Sequence, residues 1–129
     1  MNRLAFIAIL IGLGGCAAVQ NISATDIRNQ AHLRAEKDFP LTIAQISQAL
    51  YEHQSKCSDA GKVVQNPGNP NEGFITVEMP GLSKGSVALL IDLRQEGNST
   101  HAKGYTYYST WKGHVATIFK AIEDPADCG

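Results

Sequence analysis

Hydrophobic residues recur at every second position in the middle of the chain. Residues 74–79 alternate apolar and polar side chains, and within residues 86–96 the odd positions hold large aliphatic ones: Val87, Leu89, Ile91 and Leu93. A period of two is typical of strands with one buried face. The pattern therefore predicts strands at 74–79 and 86–96. A turn at residues 96–99 leads into a third strand at 100–111, which is rich in Thr and Tyr.

Two flanking segments have the period of an amphipathic helix instead. The first opens at Thr42-Ile43-Ala44-Gln45, which fits a capping box, and its expected end is Gly61. Its predicted apolar stripe contains Ile43, Ile46, Leu50 and Cys57. The second helix is predicted from Val115, Ile118, Phe119 and Ile122, and Pro125 ends it. The order of helix, three or four antiparallel strands and helix predicts an α+β, two-layer domain with both helices on one face of the sheet.

The other side of the sheet is expected to be only partly covered. In residues 86–96 the even positions change from apolar to charged: Ala88, Leu90, Asp92 and Arg94. The segment NPGNPNEG, residues 66–73, has the turn chemistry of a loop. It is interpreted as a long hairpin connection, with a recognition loop as the alternative.

The last predicted strand carries the candidate ligand-binding residues: Tyr105, Tyr107, Tyr108 and Trp111. Tyr105, Tyr107 and Trp111 share one parity and Tyr108 has the other, so the pattern does not decide which face is buried. An exposed row of these rings would be a stacking platform for sugars or a protein-binding hot spot. Packing of the rings between the sheet and the helices is the favoured interpretation, because a small domain needs that buried area.

The N-terminus begins with Arg3 and an apolar run, residues 4–13. Its ten residues would cover about half of a bilayer core of about 30 Å, which is too short for a membrane span. A positive charge, a short apolar run and small residues are typical of a secretory signal.

The signal ends at Leu13-Gly14-Gly15-Cys16, which resembles the lipobox of bacterial lipoprotein precursors. The resemblance implies that Cys16 carries fatty acyl chains such as palmitate and becomes the first residue of the mature protein. Ala17 and Ala18 follow in place of an aspartate, which implies sorting to the outer membrane with the domain facing the periplasm. An ordinary secretory signal that leaves Cys16 as a thiol is the alternative.

These patterns divide the chain into three parts. They are a lipoprotein signal peptide at 1–15, a lipidated cysteine with a polar tether at 16–38, and a single globular domain at 39–129. The tether has no sustained apolar period, although residues 26–37 favour a helix. As a coil it would reach about 25 Å, so the domain is expected to stand clear of the lipid surface.

The two remaining cysteines, Cys57 and Cys128, predict one disulfide in an oxidising compartment. A reactive thiol is the alternative, although neither cysteine has an obvious base beside it in the sequence. His53, four residues before Cys57, would share its helical face, a spacing that can also bind a metal. Two ligands do not make a metal site, so neither a metal nor another cofactor is expected. His32, His101 and His114 are scattered along the chain.

The net charge and the motif content of the sequence limit the classes of function that we expect. The chain has a net charge of −1, and removal of the signal with Arg3 lowers it to −2. Without a basic stripe, nucleic acid is not an expected partner. Known catalytic motifs are absent from the sequence, and a carboxylate pair of Glu78 and Asp92 is better explained as a solvated sheet face.

We therefore expect a non-catalytic envelope lipoprotein, a membrane-tethered accessory module with an envelope protein as its partner. Its order of elements resembles the helix-grip domains of accessory lipoproteins in outer-membrane assembly machinery, a resemblance of fold alone. Two alternatives stay open. One is a lipoprotein that binds peptidoglycan, another glycan or a small ligand through its Tyr and Trp residues, and the other is a thiol-dependent or metal-dependent enzyme.

Overall fold

A computed structural model describes residues 22–77 and 86–129. Its five strands are β1 (Leu33–Phe39), β2 (Lys62–Asn66), β3 (Asn69–Thr76), β4 (Leu89–Glu96) and β5 (Ser99–Thr106). Its helices are α1 (Ala24–Ile27), α2 (Ile43–Lys56) and α3 (Lys112–Glu123), and short 3₁₀ turns occupy Gln30–His32 and Ser109–Trp111. The predicted α+β class is confirmed.

The strands form one antiparallel sheet in the order β1-β5-β4-β3-β2. Strands β2 to β5 follow one another as neighbours, and β1 pairs with the outer side of β5. Glu96 pairs with Ser99, which confirms the predicted turn, and Gly97 in this turn has the positive φ of +61° that favours glycine.

The capping box predicted at the start of α2 is confirmed. Thr42 Oγ1 accepts the N–H of Gln45 at 3.2 Å, and Gln45 Oε1 accepts the N–H of Thr42 at 2.9 Å. The helix ends at Lys56, earlier than the predicted stop at Gly61. Cys57 is therefore the cap residue rather than part of the buried stripe. Beyond it, Asp59 Oδ1 accepts the N–H of Gly61 at 2.9 Å in a local turn that competes with further helix.

Helices α2 and α3 cover one face of the sheet, which we call the helix face. Fully buried side chains from both layers meet there, among them Phe39, Ile46, Ile75, Leu89, Ile91, Val115 and Ile122. Gly104 of β5 lies under α3, where a Cβ atom would stand only 2.3 Å from Val115 Cγ1. This glycine lets the helix approach the sheet closely.

The predicted disulfide between Cys57 and Cys128 is present and joins the end of α2 to the C-terminal tail. The same tail passes His53, whose Nδ1 lies 3.2 Å from the carbonyl oxygen of Pro125. The bond closes a loop of 71 residues and so ties the last residues of the chain to the first helix of the helix face.

The assignment of residues 16–38 to a tether is wrong for residues 22–38. Leu33–Phe39 is an edge strand, and Ile22 and Ile27 are buried against the sheet. The sequence did not predict this strand, because an edge strand pairs with only one other strand and its charged side chains at 36, 37 and 38 weaken the period of two. The signal peptide, Cys16 and residues 17–21 lie outside the described residues.

Three predicted boundaries also change. The expected loop at 66–73 is a tight turn, because Asn66 pairs with Asn69 and β3 begins there, several residues before 74. Strand β4 begins at Leu89, and residues 78–79 of the preceding predicted strand are outside the described residues. Strand β5 ends at Thr106, since residues 107–111 turn into α3 through a 3₁₀ turn.

Candidate functional site

The sheet face opposite the two helices is covered at one end only. Residues 22–28, which we call the N-terminal cover, run over it and bury a second small core with Ile22, Ile27, Ala88, Leu90 and Tyr105. Ser23 opens α1 with a capping box in which it exchanges hydrogen bonds with Asp26, and these bonds lower the pKa of that carboxyl. The cover is short, so the rest of this open face faces solvent.

Strand pairing arranges the open-face side chains in three rows. The covered row contains Leu33, Tyr105, Leu90 and Thr76. The middle row contains Glu36, Lys103, Asp92, Phe74 and Val64. The outer row contains Asp38, His101, Arg94 and Glu72. Along β4 the exposure rises from buried Leu90 through half-buried Asp92 to exposed Arg94. The expected change from apolar to charged along this face thus coincides with the end of the cover.

A bidentate ion pair marks the border between covered and open surface. Arg28 Nε donates to both carboxylate oxygens of Asp92, at 3.0 and 2.9 Å, and its Nη2 donates to Oδ1 at 2.8 Å. These hydrogen bonds raise the pKa of Arg28 above its usual range. The guanidinium also lies 5.8 Å from the ring centre of Phe74. Asp92 is therefore engaged by Arg28, and Glu78, its proposed partner in a carboxylate pair, lies outside the described residues.

The bidentate ion pair lines one side of a shallow groove of about 980 Å³ that the middle and outer rows form. Charges of both signs alternate along it. His101 Nδ1 lies 2.6 Å from Asp38 Oδ1, and Lys103 Nζ lies 3.4 Å from Glu36 Oε1. Phe74 is half-buried in the floor, and Val64 beside it is 41% exposed. The groove thus combines an apolar patch, Phe74 and Val64 on β3 and β2, with charged side chains on β1, β4 and β5.

Three of the four predicted aromatic residues come together, but not on the strand. Tyr107, Tyr108 and Trp111 join His32 and His114 in a continuous series of ring contacts, which we call the aromatic cluster. The Tyr107 and Tyr108 ring centres are 5.2 Å apart and those of Tyr108 and Trp111 are 4.8 Å apart, both edge to face. Tyr108 is 40% exposed.

Tyr105 takes no part in the aromatic cluster. It is only 8% exposed and belongs to the covered row, where it packs beside Leu90. Tyr105 is therefore on the open face of the sheet, under the N-terminal cover. The favoured packing of the rings between the sheet and the helices is wrong, because Tyr105, Tyr107 and Trp111 all pack with the second core. The small exposed fraction of Tyr105 lines the groove described above, apart from the other three rings.

The two residues on which the thiol and metal hypotheses rest, Cys57 and His53, are both engaged by the C-terminal tail. Cys57 is bonded to Cys128, and His53 is buried against the carbonyl of Pro125. Across residues 22–77 and 86–129, no group of three or more His, Cys, Asp and Glu is placed to hold a metal ion. His32 Nδ1 is buried without a hydrogen-bond partner among those same residues, while its ring stacks on Tyr107 at 4.9 Å.

Sequence reasoning missed most of the groove. Arg28, Glu36 and Asp38 were placed in a tether, and His101 and Lys103 had no assigned role. In the sequence, the groove residues of β1 and β5 are marked by charged or polar side chains at every second position. What brings them together is the pairing of those two strands across more than sixty intervening residues.

Comparison with protein-family models, with curated proteins and with solved structures finds no match to this chain. Within the part of the chain that the structure describes, no helix is long and apolar enough to cross a bilayer.

Proposed function

We propose that this protein is a non-catalytic lipoprotein of the bacterial envelope. Acylated Cys16 holds it in the outer membrane, and its domain faces the periplasm. The groove on the open sheet face binds an envelope protein. The observation that carries the proposal is the uncovered half of the sheet, where an apolar patch lies beside charged side chains of both signs.

The anchor is supported by the apolar run 4–13 and the lipobox Leu13-Gly14-Gly15-Cys16. A single acyl chain binds a membrane reversibly, whereas two or more hold a protein stably. The multiply acylated cysteine of a lipoprotein is therefore a durable attachment. A disulfide in the folded domain is consistent with an oxidising compartment such as the periplasm.

The groove has the composition of a protein-binding surface. Interfaces commonly have an apolar centre that excludes water and a polar rim that sets specificity. Val64 and Phe74 supply an apolar patch at the β2–β3 side of the groove, and the alternating charges on β1 and β5 favour a partner with the complementary pattern. An antiparallel sheet can also leave one face to water alone, so the proposal needs a direct test.

Glycan binding by the aromatic cluster is the second candidate, supported by the exposure of Tyr108. It is less well supported because Tyr105 is buried and the remaining rings contact each other edge to face rather than forming a flat platform. Titration of Trp111 fluorescence with muropeptides distinguishes the two candidates. A saturable change favours the glycan site, and a flat response favours the groove.

Site-specific photo-cross-linking in living cells tests the groove. A photoreactive amino acid replaces Arg94 in the outer row, and in a matched control it replaces Ala116, which is exposed on α3. We expect position 94 to give one dominant adduct with an envelope protein, identified by mass spectrometry, and position 116 to give none of it. Equal labelling from both positions, or no protein adduct from position 94, would contradict the proposal.

A charge-reversal variant tests whether the charged side chains of the groove select the partner. Lys103→Glu places a carboxylate beside Glu36 in the middle row, so we expect it to reduce the adduct formed from position 94. Lys62→Glu has the same charge change at the exposed start of β2 and is the control. If both reversals leave the adduct unchanged, the charged side chains of the groove do not select the partner.

A further inference from the structure

We infer that the aromatic cluster contacts the lipid surface. Tyr108 and Trp111 lie in the headgroup region of the membrane that holds Cys16, and they fix how the domain stands on it. This inference rests on the lipid anchor of the proposed function. It adds a second contact with the bilayer and an orientation, neither of which the anchor alone requires.

The first observation is where the chain enters the domain. The carbonyl oxygen of Ile22 accepts the N–H of Val87 at 3.0 Å, just before β4 begins. The N–H of Tyr107 donates to the carbonyl oxygen of Ala88 at 3.0 Å, just after β5 ends. Trp111 and Tyr107 pack against the buried group that contains Ile22. The entry point and the aromatic cluster therefore share one end of the sheet.

The second observation is the length of chain between this entry point and the anchor. Only residues 17–21 separate Cys16 from Ile22. Even a fully extended chain spans no more than about 3.6 Å per residue, so Ile22 stays within about 22 Å of the acylated cysteine. As a coil, this segment reaches about 13 Å on average, about half of the roughly 25 Å expected for a tether of residues 17–38, because residues 22–38 belong to the fold. The aromatic end of the sheet is therefore confined near the bilayer.

The third observation is the chemistry of that end. Tyr and Trp combine an apolar ring with a polar group and are enriched where membrane meets water. Lys112 directly follows Trp111, and residues 97–122 contain no acidic residue. Asp26 lines a cavity with His32 and Tyr107, at the other end of the series of ring contacts from Trp111, so the contact is centred on Tyr108 and Trp111. A cation beside interfacial rings is attracted to anionic headgroups. The corner between β5 and α3 thus suits a lipid surface better than a neutral sugar.

This orientation has a consequence for the groove. The outer row crosses β5 at His101, six residues before Tyr107. At about 3.3 Å per residue, that separation is about 20 Å along the strand. With the aromatic cluster against the headgroups, the outer row is held away from the lipid and faces the periplasm, where a partner protein can reach it.

Trp111 provides its own probe, because it is the only Trp in the chain. The processed full-length protein is reconstituted into vesicles of phosphatidylethanolamine and phosphatidylglycerol, with and without bromine atoms near the top of the acyl chains. Intact mass first establishes that Cys16 carries acyl chains. An indole held in the interface comes within reach of these bromines, so we expect them to remove about half of the Trp111 emission.

Two substitutions show whether the cluster causes this effect. Tyr108→Glu puts a carboxylate at the proposed contact, and we expect it to abolish most of the quenching by brominated lipid. Tyr51→Glu is the matched control, since Tyr51 on α2 is 69% exposed and lies outside the aromatic cluster. We expect it to leave the quenching unchanged.

The possible results distinguish failure of the membrane contact from failure of the lipid anchor. An acylated protein whose Trp111 is not quenched overturns the membrane contact and leaves the anchor intact. Equal effects of Tyr108→Glu and Tyr51→Glu overturn it as well. Emission that responds to soluble muropeptides and not to brominated lipid replaces the contact with a glycan site. A mature protein without acyl chains overturns the anchor, and the membrane contact with it.

Discussion

The two faces of β4 show how differently the two sides of this sheet are used. On the helix face, Leu89, Ile91 and Leu93 are all buried. On the open face, exposure rises from Leu90 through Asp92 to Arg94 within the same strand. The helix face is covered along its length by α2 and α3, whereas the open face has only the N-terminal cover. Stability therefore depends mainly on the helix face, and the proposed recognition of a partner uses the open face.

Loss of the disulfide should have the largest effect. Replacing both Cys57 and Cys128 with Ser frees the tail from α2, and cross-linking of a loop of 71 residues corresponds to roughly 4 kcal/mol in the chain-entropy model. We expect the free energy of unfolding in urea to fall by that order. Wild-type protein in reducing agent should unfold at the same urea concentration as the double variant. Unchanged midpoints in both samples would show that the helix face does not depend on this bond.

Truncation of core side chains should distinguish the two faces of β4 directly. Ile91→Ala leaves a cavity under the helices and should cost about 3 kcal/mol, as buried Ile to Ala changes commonly do. Arg94→Ala, three residues along the same strand, should change the free energy of unfolding by no more than about 0.5 kcal/mol. Urea unfolding of both variants measures the difference. Similar losses would mean that the open face carries as much stability as the helix face.

Weakening of the N-terminal cover should have a local effect. Ile27 is fully buried in the second core, so Ile27→Ala should cost about 2 kcal/mol, the low end for such a change, since a short segment can detach without unfolding the sheet. Hydrogen exchange followed by mass spectrometry should show faster exchange in residues 22–28 and unchanged protection in β4. Faster exchange throughout the sheet would contradict a separable cover.

The ion pair at the border of the cover should matter less. Arg28 and Asp92 are joined by good geometry but are both about one-third exposed, so solvent screens them. A double-mutant cycle with Arg28→Ala and Asp92→Ala should give a coupling energy below about 1 kcal/mol. A coupling of several kcal/mol would show that this pair, rather than apolar contact, holds the cover in place.

A surface pair on the helix side should have the smallest effect. Lys120 Nζ lies 2.8 Å from Asp127 Oδ2, and this hydrogen bond lowers the pKa of Asp127. The contribution to stability is present above the unfolded carboxyl pKa of about 3.9 and is lost as the pH falls through the lower folded value. In an NMR titration, Lys120→Gln should raise the pKa of Asp127 toward its ordinary value. The same titration curve in both proteins would rule out the pair.

Local patterns predicted much of the helix face. The capping box at Thr42 placed the start of α2, and the period of two in β4 placed its buried side chains. The two cysteines left after Cys16 were sufficient to predict the disulfide. The capping box and the strand period lie within a few residues, and the disulfide follows from the number of cysteines. Each of these features can therefore be predicted without knowing how the chain folds.

The arrangement of side chains on the open face could not be predicted from local sequence patterns, because it depends on which strands pair. Strand β1 carries charges because one of its sides and much of its open face meet water, so it lacks the apolar signature of a strand. Its pairing with β5 brings Asp38 to His101 and Glu36 to Lys103, and such a register is set by the whole sheet. The predicted last strand includes Tyr107 and Trp111, but β5 ends at Thr106 and the chain then enters the 3₁₀ turn Ser109–Trp111.

Attachment through Cys16 is the claim on which both the proposed function and the membrane contact depend. The direct measurement is the intact mass of the protein extracted from the membranes of its bacterial host. We expect a chain of residues 16–129 with fatty acyl groups on Cys16 and two fewer hydrogens than its reduced form, because Cys57 and Cys128 are bonded. A chain that begins at another residue, or a Cys16 without acyl groups, would contradict it.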